Sequence, residues 1–262
     1  MTAIRSLRRT LALAFLALAP IATPAARADY QDRYTAGHVD INLVYDPATN
    51  ALELNYELTG NTVLNGSAIG TGREVGANSV TVVVGDNGLG VGAAGLPSPF
   101  AGAPLWTIPQ GSRAGRPFLG IGAEEIEPGV FRNDTLTLTL TGIAARPAGG
   151  QFVLYQGGDE GTPLINTANG LSIADALPVV SLGHDHYVFG FTAAGVYDLV
   201  FTASGRLNDA NGTLLTATET YRFAVGTSAV PEPGSIALLG LGIGAGALGL
   251  ARRSRLAGVA RA

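Results

Sequence analysis

The chain has 262 residues, no cysteine and a formal net charge of −4 at pH 7. The absence of cysteine excludes disulfides, thiolate metal sites and cysteine nucleophiles. Half of the sixteen arginines lie near the two ends, so residues 29–227 carry eight arginines against nineteen acidic residues, a net charge of about −11. This charge disfavours binding to nucleic acid or anionic lipid and favours the attraction of cations.

Residues 1–28 have the features of a secretory signal peptide. Arg5, Arg8 and Arg9 precede an apolar stretch over residues 11–21, and the small residues of Ala26-Arg27-Ala28 suit signal peptidase. We therefore predict export, with a mature chain that begins near Asp29. The remaining residues 29–227, roughly two hundred, are enough for one large domain with its own core.

This domain is predicted to consist of strands and turns. Turn-forming residues at 46–50 and 208–212 predict two hairpins, and Thr alternates with Leu over 135–141, the period of a strand with one buried face. No convincing helical period occurs, except for a turn near 173–176, and the glycine-rich residues 85–102 are predicted to form a long loop. The pattern favours an all-β fold, an immunoglobulin-like antiparallel β-sandwich. Its predicted strands are 38–45, 51–58, 79–84, 135–141, 151–155, 179–182, 184–191, 196–203 and 214–225.

All three histidines of the chain occur in an alternating His-x-His or His-x-Asp pattern. In His184-Asp185-His186 both imidazoles project from the same face of a predicted strand, and His38 and Asp40 have the same spacing. If the two strands are neighbours, His38, His184 and His186 can bind one ion, with Asp40 as the fourth ligand or as a partner of a ligand. This nitrogen set suits Zn²⁺, and Cu²⁺ or Ni²⁺ would fit it too. The alternative is that the histidines have no metal role.

Other motifs in the sequence are weaker indications of a functional site. Glu124, Glu125 and Glu127 form an acidic cluster that we interpret as solvated surface acids, with a cation site or a glycosidase carboxylate as weaker alternatives. The chain has neither a G-x-S-x-G elbow nor an H-E-x-x-H motif. We therefore expect a protein that is not an enzyme.

Residues 228–262 have the composition of a sorting signal. Val230-Pro231-Glu232-Pro233 precedes the apolar residues 234–251, which are long enough to span a bilayer as a single helix. Arg252, Arg253 and Arg255 begin the basic tail 252–262 and are expected on the cytoplasmic side. This arrangement resembles the PEP-CTERM sorting signal of bacterial envelope proteins. The resemblance implies an inner-membrane-anchored precursor, cleavage by an exosortase, and a final location at the cell surface or in the extracellular matrix.

The domain itself resembles the choice-of-anchor M type of bacterial surface-anchored proteins. The similar segments are Gly37-His38-Val39-Asp40-Ile41, residues 106–110, residues 118–125, and residues 184–197 with His184-Asp185-His186. Together with a PEP-CTERM tail, this resembles surface proteins repressed by the zinc-uptake regulator, which implies zinc capture or homeostasis and a metal ABC transporter as partner. Val188 and Phe189 depart from the family, which often has Trp after the second His. The competing hypothesis is a structural protein associated with the extracellular matrix or an exopolysaccharide.

Overall fold

The computed structural model of the chain describes residues 30–157 and 161–226. The predicted signal peptide, sorting motif, transmembrane helix and basic tail lie outside these residues. Within the described ranges, no helix is both long enough and apolar enough to cross a membrane.

Strands are the main secondary structure of the described residues, and no α-helix occurs among them, which confirms the all-β prediction. Four short 3-10 helices connect strands, at Ala77–Ser79, Asp86–Gly88, Arg132–Asp134 and Thr167–Asn169. The strands are β1 (Asp32–Asp46), β2 (Ala51–Leu58), β3 (Val63–Leu64), β4 (Ser67–Ala68), β5 (Arg73–Gly76), β6 (Val80–Val84), β7 (Leu89–Val91), β8 (Pro104–Ile108), β9 (Pro117–Gly122), β10 (Thr135–Ala145), β11 (Phe152–Gln156), β12 (Thr162–Asn166), β13 (Ala176–Val180), β14 (His184–His186), β15 (Val188–Phe191), β16 (Gly195–Arg206) and β17 (Leu214–Val225).

The long strand β1 belongs to two parts of one large sheet. Its first residues pair with β6 and complete sheet A, in the order β13-β10-β16-β17-β6-β1. Its later residues pair with β2 on one side and β9 on the other, and they complete sheet B, in the order β5-β2-β1-β9-β14. A separate sheet C has the order β12-β11-β15-β8-β7. Strand β1 therefore connects sheet A to sheet B.

The predicted antiparallel pairing holds for only part of the sheets. Most neighbours are antiparallel, but β1 runs parallel to β6, β6 runs parallel to β17, and β1 runs parallel to β9. Parallel neighbours require long connections instead of tight hairpins, and several strands intervene between the members of each of these pairs. Turn signals in the sequence identify hairpins only, so they gave no indication of these pairings.

The three sheets share one hydrophobic core. Along β10 the leucines Leu136, Leu138 and Leu140 are at most 1% exposed while the threonines between them face away, as the alternation predicts. Phe223 of sheet A contacts Phe191 of sheet C, with ring centroids 5.3 Å apart. Sheet A also contacts sheet B, where the rings of Tyr56 and Tyr221 meet edge to face at 4.9 Å. Burial of these side chains is the main source of stability.

Strand β9 carries Leu119 and Ile121 on its inner face, and Phe118 and two glycines on its outer face. Leu119 and Ile121 point into the core and are fully buried, whereas Gly120 and Gly122 lie on the outer face of sheet B. The same alternation places Val39 and Ile41 of β1 in the core, and therefore His38 and Asp40 on the outer face.

Candidate metal centre

The three histidines of the chain come together on the outer face of sheet B. One ring nitrogen from each of His38, His184 and His186 lies within 4.8 Å of the other two. The ring centroids are 5.8 Å apart for His38 and His184, 5.0 Å for His38 and His186, and 5.2 Å for His184 and His186. The proximity of residue 38 to the 184/186 pair, which the sequence hypothesis required, is thus observed.

The pairing register of β9 brings about this proximity. On one side His38 of β1 pairs with Phe118, and on the other side His184 and His186 of β14 pair with Gly122 and Gly120. Paired residues in a sheet project from the same face. The two histidine-bearing strands are therefore not direct neighbours, and β9 lies between them.

The two glycines of β9 provide the space that the side chains use. A Cβ atom at Gly120 would overlap Oδ1 of Asp40 and would lie 3.0 Å from Cε1 of His186. A Cβ atom at Gly122 would lie 2.8 Å from the Cβ atom of His184. Side chains from the flanking strands β1 and β14 therefore extend over β9 towards each other, because β9 has no side chain at these two positions.

Glu124 fixes the orientation of His184. Its Oε1 atom lies 2.5 Å from Nδ1 of His184. When the carboxylate accepts a hydrogen bond from Nδ1–H, Nε2 is left as the nitrogen with a free lone pair, an arrangement common among metal-binding histidines. The interpretation of Glu124 as a solvated surface acid was therefore incomplete, since it belongs to the histidine cluster.

The other two histidines have buried nitrogens without partners. Nε2 of His38 lies 3.3 Å from Oδ2 of Asp40, but neither this nitrogen nor the buried Nδ1 of His186 has a hydrogen-bond partner. Oδ1 of Asp40, a residue that is 3% exposed, also has none. The ring of His186 stacks on Phe118 with centroids 3.8 Å apart, which holds its plane. Buried polar atoms without partners are costly, and a cation would offset this cost.

The environment shifts the pKa values of two imidazoles in opposite directions. The adjacent Asp40 carboxylate raises the pKa of His38, with partial burial opposing this and Glu124 and Glu57 adding to it. Burial lowers the pKa of His186, an effect that Asp40 opposes in part. At neutral pH His186 is therefore in the neutral form that binds metals. A larger fraction of His38 is protonated, and that proton must leave before His38 can bind a metal.

The donor set and its spacing suit a transition metal. In a tetrahedral zinc site with Zn–N bonds of about 2.0–2.1 Å, ligand nitrogens are about 3.3 Å apart. The observed nitrogens, at most 4.8 Å apart, need to approach by at most about 1.5 Å, which rotations of the side chains provide. Asp40 contacts His38 at 3.3 Å, but the ligand atoms that lie within 4.8 Å of one another belong to the three histidines and not to Asp40.

The remaining predicted residues do not join this cluster. Glu125 and Glu127 are exposed, and neither contacts an imidazole among the described residues. Val230, Pro231, Glu232 and Pro233 and the basic residues Arg252, Arg253 and Arg255 lie outside the described ranges. No protein-family model, no curated protein and no solved structure matches the chain.

Proposed function

We propose that this protein binds a divalent transition metal, zinc in the first place, through His38, His184 and His186, with Asp40 assisting. The observation that carries the proposal is the convergence of three imidazole nitrogens, within 4.8 Å of one another, from strands that are far apart in sequence. Three neutral imidazoles and one carboxylate are a donor set that Zn²⁺ prefers, and Cu²⁺ or Ni²⁺ accept the same set.

The surroundings of the imidazoles support metal binding over a purely structural role. Histidines that only pack against a sheet usually have their buried nitrogens hydrogen-bonded. Here Nδ1 of His186 and Oδ1 of Asp40 are buried without a hydrogen-bond partner, and the buried Nε2 of His38 has only the Asp40 carboxylate, 3.3 Å away, beside it. Carboxylates surround the imidazoles and attract a cation to them.

The proposed location, processing and partners of the protein are argued from its sequence. We propose that the protein is exported, is processed by an exosortase at residues 230–233 and acts at the cell surface or in the extracellular matrix in zinc capture or homeostasis. A metal ABC transporter would be a partner in this role, and an exopolysaccharide would be one in the structural alternative. We also propose that the fold is related to the immunoglobulin-like sandwiches, because it closes with the long hairpin of β16 and β17 packed against a second sheet.

Calorimetric titration with zinc tests the proposal. The wild-type protein should bind one zinc ion, and the double variant His184→Ala/His186→Ala should lose more than about 100-fold in affinity, since even partners of ligands contribute 10–100-fold. Glu127→Gln, an exposed acid outside the cluster, is the matched control and should bind as the wild type does. Equal binding by the wild type and the double variant would refute the proposal. Absence of binding in both would favour the structural role.

A further inference from the structure

A second group of polar side chains lies beside the imidazoles on the same face of sheet B. It comprises Asn42 of β1, Asn55 and Glu57 of β2, and Glu74 of β5, and we call it the oxygen cluster. Asn42 pairs with Asn55 across the two strands, and Glu57 pairs with Glu74. Since paired residues share a face, the four side chains occupy one continuous patch.

Two amide oxygens of this cluster are buried without a hydrogen-bond donor. Asn42 is 1% exposed, its Nδ2 donates to Oε1 of Glu74 at 3.2 Å, and its Oδ1 has no partner. The buried Oδ1 of Asn55 has no partner either. The bond to Glu74 directs the Asn42 side chain across β2 towards β5.

A cleft borders two members of the oxygen cluster, Asn55 and Glu74. The cleft has a volume of about 570 Å³, and Asn55 and Glu74 form part of its wall, together with the acidic residues Glu53 and Glu219. Gly76 pairs with Asn55 on the adjacent strand and contributes no side chain there. The cleft therefore borders the cluster at Asn55 and Glu74, whereas the buried Asn42 does not line it.

Negative charge is concentrated here and is not compensated. Glu57 lies between its pairing partners Asp40 on β1 and Glu74 on β5, so three carboxylates stand side by side across the strands. The chain contains no lysine, and the group offers oxygen acceptors with no cationic side chain among them. Carboxylates held together in this way are stabilised by a bound cation.

We propose that Asn42, Asn55, Glu57 and Glu74 form a second cation site, for a hard divalent cation of the calcium class, separate from the imidazole site. Two amide oxygens and two carboxylates are ligands that Ca²⁺ prefers, whereas the imidazole nitrogens suit Zn²⁺. Ca²⁺ accepts irregular coordination and carbonyl-type oxygens, while Mg²⁺ demands near-ideal octahedral geometry and retains its water. The same face of sheet B would therefore bind Ca²⁺ through oxygen ligands and Zn²⁺ through imidazole nitrogens.

Thermal unfolding of the full protein in CaCl₂ tests this site. Extracellular calcium modules have dissociation constants of about 10⁻⁴–10⁻³ M, so 10 mM Ca²⁺ should raise the unfolding midpoint of the wild type by about 3–6 °C or more. Asn42→Ala/Asn55→Ala should lose this rise. Asn211→Ala, a turn residue outside the cluster, should keep it. His184→Ala/His186→Ala should also keep it, although it loses zinc binding.

The outcomes distinguish this site from the imidazole site. A calcium response that disappears in the histidine variant but persists in the asparagine variant would assign calcium to the imidazoles and overturn the proposal. The absence of any response in the wild type, or an equal response in wild type and asparagine variant, would overturn it as well. If the double asparagine variant does not fold, Glu74→Gln provides the test, because it removes one ligand charge at an exposed position and should weaken the calcium response at least several-fold.

Discussion

Replacing Gly120 by alanine is the sharpest test of how the fold builds the imidazole site. The new Cβ atom would overlap Oδ1 of Asp40 and come within 3.0 Å of Cε1 of His186. Because real Cβ contacts are essentially never under 3.0 Å, the Asp40 carboxylate must move by at least about 1 Å. Functional metal–ligand distances tolerate about 0.2 Å, so this movement disturbs both Asp40 and the imidazole next to it.

We expect Gly120→Ala to lower zinc affinity by about 10–100-fold, the usual effect of disturbing the partners of metal ligands, which corresponds to about 1.4–2.7 kcal/mol. Overpacking should also reduce the free energy of unfolding of the metal-free protein by about 1–3 kcal/mol. Competition with a chromophoric chelator measures the affinity, and thermal unfolding in EDTA measures the stability. Gly90→Ala is the control, since a Cβ atom there meets nothing within 4 Å. A folded Gly120→Ala protein with zinc affinity within twofold of the wild type would refute this account of the glycine.

Further predictions concern Glu124 as the partner of His184, the protonation of His38, and the hydrophobic core. Glu124→Gln should lower zinc affinity about 10-fold, because a neutral amide orients His184 less strongly than a carboxylate; affinities near those of the wild type in a zinc titration would contradict this. Zinc affinity should fall as the pH decreases through the raised pKa of His38. Near pH 6.5 binding should release more protons from His38 than from His186, whose pKa is lowered, and calorimetry in buffers of different ionisation enthalpy counts the protons released. The same contact with Asp40 stabilises the metal-free fold when His38 is protonated, so this contribution is complete below about pH 6.5 and is lost as the pH rises through the raised pKa. Leu138→Ala should destabilise the fold by about 2–5 kcal/mol in urea unfolding, since Leu138 is fully buried in β10, while Thr137→Ala on the opposite, exposed face should change it little.

Local sequence patterns predicted the parts of the fold that depend on local physics. Both expected hairpins are present, β1 with β2 and β16 with β17, because turn residues and alternating hydrophobicity act over a few positions. The Thr-Leu alternation of β10 was also informative, since each leucine enters the core.

Pairings between distant strands were not visible in the sequence. Strand β9 was not predicted, because Gly120 and Gly122 interrupt the hydrophobic pattern that identifies a strand. Residues 184–191 were predicted as one strand, but β14 and β15 belong to sheets B and C. The predicted loop at 85–102 contains the short strand β7, which is exposed and has little pattern of its own.

The candidate site shows the same division between local and distant information. The i, i+2 spacing of His184 and His186 sufficed to place both on one face, and the same held for His38 and Asp40. The role of Glu124 depends on the pairing of β9 with the distant strand β14, which brings the segment just after β9 next to His184. A signal for this was present, since Glu124 follows a strand of alternating large and glycine residues, but its partner strand could not be identified from the sequence.

The glycines of β9 also argue that the outer face of sheet B has a function. Glycine in a strand interior destabilises the fold by roughly 0.5–1 kcal/mol relative to alanine, and β9 has two on its outer face. On a face with no function, alanine or a β-branched residue would give a more stable strand. Here each glycine lies where a side chain from β1 or β14 occupies the space, and those side chains are Asp40, His184 and His186. The destabilising residues thus coincide with the imidazole cluster, as expected where a binding site, and not the stability of the sheet, determines which residues occupy the strand.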